Sequence, residues 1–97
     1  MPVSPAERGM LEQIFDDVLT DPVLNTAFTV AQKMIEQGVI DKENIKSFTI
    51  GFVSGAFLTE GSRVATTPEK LGEIAEECAN ILLRRVWEIR DRILDME

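Results

Sequence analysis

Four carboxylates, Glu69, Glu73, Glu76 and Glu77, fall in one short run, and Asn80 extends the group by a turn. On a helix they would project mostly away from its core face, and clustered carboxylates can hold Mg²⁺ against a phosphate substrate. Like charges at this spacing repel by ~0.2–0.5 kcal/mol per pair, in part relieved by the positive end of the helix. Other chemistry is sparse. The chain has no histidine, which removes imidazole acid–base catalysis, the usual catalytic triads and the common zinc sets. Its one cysteine, Cys78, cannot form an intramolecular disulfide. Lying between Ala75 and Leu82 on an apolar face, it reads as a small buried residue rather than a nucleophile, since nothing is present to activate it.

The run Glu69-Lys70-Leu71-Gly72-Glu73-Ile74-Ala75-Glu76 resembles the first acidic motif of the MazG-type all-helical nucleoside triphosphate pyrophosphohydrolases. The resemblance implies Mg²⁺ bound by carboxylates from two successive helices, in an enzyme that works as a dimer or higher oligomer. It covers eight residues. The family's second motif, Glu-Glu-x-x-Asp on a following helix, has as counterpart only Glu76-Glu77-Cys78-Ala79-Asn80, which overlaps the first motif and ends in Asn. Glu12, Asp16 and Asp17 offer further carboxylates in another order and spacing. A solvated helix face is therefore the preferred reading of the cluster, with the Mg²⁺-dependent enzyme as the alternative.

Two other features invite a binding function. Ser47–Thr59 contains no charge, and on a helix Ser47, Gly51, Ser54 and Gly55 form a strip of small residues flanked by phenylalanines. Two mid-helix glycines cost ~2 kcal/mol relative to alanine, so close approach by a neighbouring helix, or a groove for a ligand, is expected there. Further on, Leu83, Trp87 and Leu94 form a second apolar line beside the main face of the last helix. A tryptophan flanked by leucines is the composition of an interface anchor, and a contact between subunits is expected through it.

The arginines of the same region, Arg84, Arg85, Arg90 and Arg92, alternate with Glu88, Asp91, Asp95 and Glu97. Arg84–Glu88 and Glu88–Arg92 have ion-pair spacing, so a self-paired, solvated face is expected rather than a nucleic-acid surface. The net charge of −7 points the same way, because it opposes attraction to phosphate backbones and anionic lipid.

These residues must be carried by helices. Ser4-Pro5-Ala6-Glu7 joins a capping residue, a proline at the first position and a glutamate three after the cap, and predicts a helix over about 5–19. Thr20-Asp21-Pro22 ends it, with Asp21 capping a second helix over about 22–37 that should lie antiparallel to the first, and Gly38 closing it. A third segment, capped at Asp41, runs into the uncharged stretch. Phe48–Val53 also alternates at period 2, so a hairpin turning at Ser54-Gly55 competes with the helix; the capped start favours the helix. Thr67-Pro68 opens the last helix, where Leu71, Ala75, Cys78, Leu82, Val86, Ile89, Ile93 and Met96 recur at steps of three or four.

The expected fold is therefore all-α: a single domain over residues 1–97, a four-helix, bundle-like arrangement with a buried third helix and a long C-terminal one, forming a dimer. Ninety-seven residues suffice for one core. The 13-residue uncharged stretch is shorter than the roughly 20 residues of a membrane-spanning helix. The N-terminus lacks the pattern of a secretory signal, making a cytoplasmic location the default expectation. The sequence thus favours a non-enzymatic, homo-oligomeric interaction or structural module with no cofactor, no nucleic acid and no membrane partner.

Overall fold

A computed structural model describes residues 3–96, and among them the chain is all-helical. Helix α1 spans Pro5–Val18, α2 Asp21–Glu36, α3 Ile45–Gly61 and α4 Pro68–Met96. Short 3-10 turns at Lys42–Asn44 and Ser62–Val64 lead into and out of α3. Among the described residues no helix is long and apolar enough to cross a membrane.

Local chemistry sets most of the boundaries. At the start of α1 the Ser4 N–H donates to Glu7 Oε1 at 2.8 Å while the Glu7 N–H donates to Ser4 Oγ at 3.1 Å, satisfying two otherwise unpaired amides. Helix α2 begins one residue earlier than the sequence suggests, at Asp21, with Thr20 in the cap position. Its end at Glu36 is closed by Gly38, whose φ of +74° lets the Gly38 and Val39 amides fold back onto the Ile35 and Met34 carbonyls at 3.0 and 2.8 Å. The segment 45–61 is helix throughout, so the competing hairpin is not formed. At the start of α4 the Lys70 N–H donates to Thr67 Oγ1 at 3.2 Å, with Pro68 at the first position.

Helix α3 is the element that packs against each of the other three, and α2 packs on α3 rather than along α1. Directions follow from residue contacts. Gly61 and Phe57 of α3 lie against Leu11 and Phe15 of α1, so these two run in opposite senses. Gly61 also meets Cys78, while Phe57 meets Phe15, whose ring lies under Arg85, so α3 and α4 are antiparallel as well. Helices α1 and α4 therefore run in the same direction. The 29-residue α4, ~43 Å long at ~1.5 Å per residue, accounts for the longest dimension of the 45 × 25 × 20 Å molecule.

The core joins Leu11, Phe15 and Val18 of α1, Leu24 of α2, Val53 and Phe57 of α3, and Ile74, Cys78, Ile81, Ile89 and Ile93 of α4. Phe15 meets Phe57 edge to face, with ring centres 5.4 Å apart. The fully buried Thr49 hydroxyl donates to the Ile45 carbonyl at 2.8 Å, leaving no bare polar group in that layer. On α4 the buried line differs from the expected one: Leu71 and Ala75 are exposed, and Ile74 and Ile81 take the interior. Helix α3 keeps one side open, with Ser47, Gly51, Gly55 and Leu58 exposed.

Candidate functional site

The four carboxylates of α4 do not gather at one point. Of Glu73 and Glu77, one turn apart, Glu77 meets Arg8 of α1 at 3.3 Å, while Glu73 pairs within α4 with Lys70 at 3.3 Å. Glu69 and Glu76 are exposed. Lys70 also donates to Glu7 at 3.1 Å, and this pairing together with the Ser4 amide, the larger cause, holds the Glu7 carboxyl below its ordinary range. Among the described residues no group of three or more His, Cys, Asp or Glu side chains is arranged to hold a metal ion. The donor set implied by the MazG resemblance is thus divided between two faces, and its inward half is already engaged by cations.

Carboxylates of α1, and Asp21 at the start of α2, likewise meet arginines of α4. Arg84 donates to Glu12 at 2.7 Å, Arg85 to Glu12 at 2.9 Å and to Asp16, and Arg92 to Asp21 and to the Leu19 carbonyl that ends α1. The Arg84–Glu88 and Glu88–Arg92 pairs expected along α4 are replaced by these contacts between helices. Glu88 instead pairs with Arg85, whose Nε and Nη2 donate to its two oxygens at 2.7 and 2.8 Å. The cause is position: Arg85 sits on the inward line of α4, its side chain only 16% exposed, with its guanidinium 4.3 Å from the centre of the Phe15 ring. Arg84 lowers the Glu12 pKa, with Arg85 adding to it, and Arg85 lowers that of Glu88. Arg85 itself is shifted upward, chiefly by Glu88.

Cys78 is buried beneath Gly61, and burial first, then the Glu77 charge, pushes its thiol above the ordinary value. That disfavours the thiolate a nucleophile requires.

The small-residue strip has a different environment from the one its glycines suggest. A Cβ added at Gly51 or Gly55 would have no neighbour within 4 Å, so among the described residues no helix lies close against them. Ser47 is exposed and Ser54 half-buried, with Phe48 and Phe52 alongside at a ring separation of 6.2 Å. The glycine in close contact is Gly61, which the sequence pattern left unnoticed; its one signal is the position four residues after Phe57, on the buried line of α3.

The expected interface residues remain uncovered. Leu83 is 76%, Trp87 60% and Leu94 41% exposed, on a helix whose opposite side supplies five buried residues to the core. Trp87 carries the Arg90 guanidinium 5.0 Å from its ring. An open cleft of about 450 Å³ near the α1–α4 ion pairs, lined by Asp16, Leu19, Glu88, Asp91 and Arg92, has its cation already engaged by Asp21. No protein-family model, curated protein or solved structure matches this chain.

Proposed function

We propose that the chain is a non-enzymatic interaction or structural module that works as a homo-oligomer, most simply a dimer, through the outer face of α4. The observation that carries this reading is the joint exposure of Leu83, Trp87 and Leu94 on one side of the longest helix. Isolated exposed apolar residues are ordinary, but three large ones along one side of a helix within about three turns are not. Covering each is worth roughly 1.5–3 kcal/mol, and tryptophan is the residue type that most often anchors such a contact. Three of the four arginines that could have served a nucleic acid, Arg84, Arg85 and Arg92, are engaged by Glu12 of α1 and Asp21 of α2, which further favours a protein partner.

Light scattering coupled to size exclusion tests the reading at micromolar concentration. The expected mass is twice the 10.9 kDa of one chain, falling to a single chain in Leu83→Glu with unchanged helicity by circular dichroism. A wild-type monomer across that range would overturn it.

A further inference from the structure

Around Leu83, α4 carries a line of exposed positions at spacings 4, 3, 4, 4, 3 and 4, from Gly72 to Leu94. At ~100° per residue all of them fall within about 40° of the Leu83 direction. The spacing reads the same in both directions. The residue types do not repeat; they complement one another. Seven residues to either side of Leu83 stand Glu76 and Arg90, four to either side Ala79 and Trp87, and eleven to either side Gly72 and Leu94.

We infer that two copies pair through antiparallel α4 helices, with a two-fold axis at Leu83 that sets Glu76 against the partner's Arg90 and Trp87 against the partner's Ala79. This rests on the dimer proposed above and specifies its geometry. A two-fold contact brings position i of one chain opposite position j of the other and j opposite i, so a self-pairing surface must hold complementary residues at mirrored positions. Here each mirrored pair is acid with base or small with large, and Leu83 meets its own copy. A Cβ at Gly72 has open space around it, leaving room for the partner's Leu94.

Parallel pairing is disfavoured by the same residues. It would set Glu76 on Glu76 and Arg90 on Arg90, and leave Gly72 facing Gly72. The neighbouring charges do not oppose the antiparallel arrangement. Asp91, which lies 3.9 Å from Arg90 in its own chain, would face Ala75, and Asn80 would face Val86. Glu76 has no hydrogen bond or ion pair among the described residues, and the Arg90 side chain is half exposed, so both ends of the contact are accessible.

Charge reversal on the 97-residue chain tests the geometry, read by sedimentation equilibrium and native mass spectrometry. Glu76→Arg and Arg90→Glu each place two like-charge contacts in every dimer, so each should raise the dissociation constant by about tenfold or more at low salt. Mixing the two variants should restore a tight 1:1 heterodimer, because both contacts then join opposite charges. The double variant should dimerise like the wild type, and it decides the matter should one single variant fold poorly. A wild-type dimer insensitive to both reversals, or singles that weaken without rescue on mixing, would overturn the antiparallel seam and leave the dimer standing. A monomeric wild type would overturn both.

Discussion

A methyl group on Gly61 would stand 2.9 Å from Sγ of Cys78, closer than side chains tolerate, and 3.3 Å from Cδ2 of Leu11, a tight contact. This is where α1, α3 and α4 meet, and neither neighbour has open space behind it, since both are buried. Gly61→Ala is expected to lower stability by ~1–3 kcal/mol in urea unfolding. Cys78→Ala removes the obstructing sulfur, so the double variant should be more stable than the sum of the two single losses. Strict additivity in that cycle would show that the contact is not the cause.

Gly51 and Gly55 should respond in the opposite direction. With nothing within 4 Å of either Cβ position, alanine at each is expected to stabilise α3 by ~0.5–1 kcal/mol through helix propensity. The melting temperature of the double alanine variant is the measurement, taken together with its mass. A lower melting temperature with a changed oligomer mass would mean that a second chain approaches this strip.

The contrast between these glycines indicates how much the sequence could reveal. Helix ends were legible because Ser4, Pro5, Gly38 and Pro68 act on their nearest neighbours, and the chemistry of a cap is local. The helical state of the uncharged stretch was legible from its capped start. What lies against a residue is not local, and there the sequence misled. Helix α4 is apolar on two lines, and the inward one is interrupted by Arg85, so periodicity favoured the line through Leu71 and Ala75, both of which are exposed. The ion pairs that α4 makes with other helices were hidden for the same reason: spacing within one helix offers Arg84 and Arg92 a partner at Glu88, and only the parallel course of α1 and the turn into α2 supply Glu12 and Asp21. The exposure of Leu83, Trp87 and Leu94 was anticipated, because one core cannot cover both lines.

Arg85 joins the ion pairs to the core, lying over Phe15 while engaging Glu12, Asp16 and Glu88. Replacing it with alanine removes a packed stem as well as a charge and leaves three carboxylates close together, so a loss of ~2–4 kcal/mol is expected from chemical denaturation. Arg85→Lys keeps the charge but not the planar fork that serves several oxygens, and should recover only part of the loss. Arg85→Met, which keeps the stem alone, separates the packing contribution from the ionic one. Methionine as costly as alanine would show that packing over Phe15 contributes little.

Acid should weaken the fold in a defined window. Glu7, Glu12 and Glu88 all have folded pKa values below the ordinary 4.5, Glu7 through the Ser4 amide and Lys70, Glu12 through Arg84 and Arg85, and Glu88 through Arg85. A carboxyl whose pKa is depressed by folding binds its proton more readily in the unfolded chain. Its contribution is therefore complete above about pH 5 and is lost as pH falls below 4.5 through the folded values. Unfolding free energy measured by urea titration from pH 7 to pH 3 should stay level to about pH 5 and then decline. Substituting Glu12 by Gln should make that decline shallower, because the protonation it reports has been removed. The same variant should also be less stable at pH 7, since Arg84 and Arg85 then lose the carboxylate they share. A decline of equal steepness in Glu12→Gln would assign the acid sensitivity to other carboxylates.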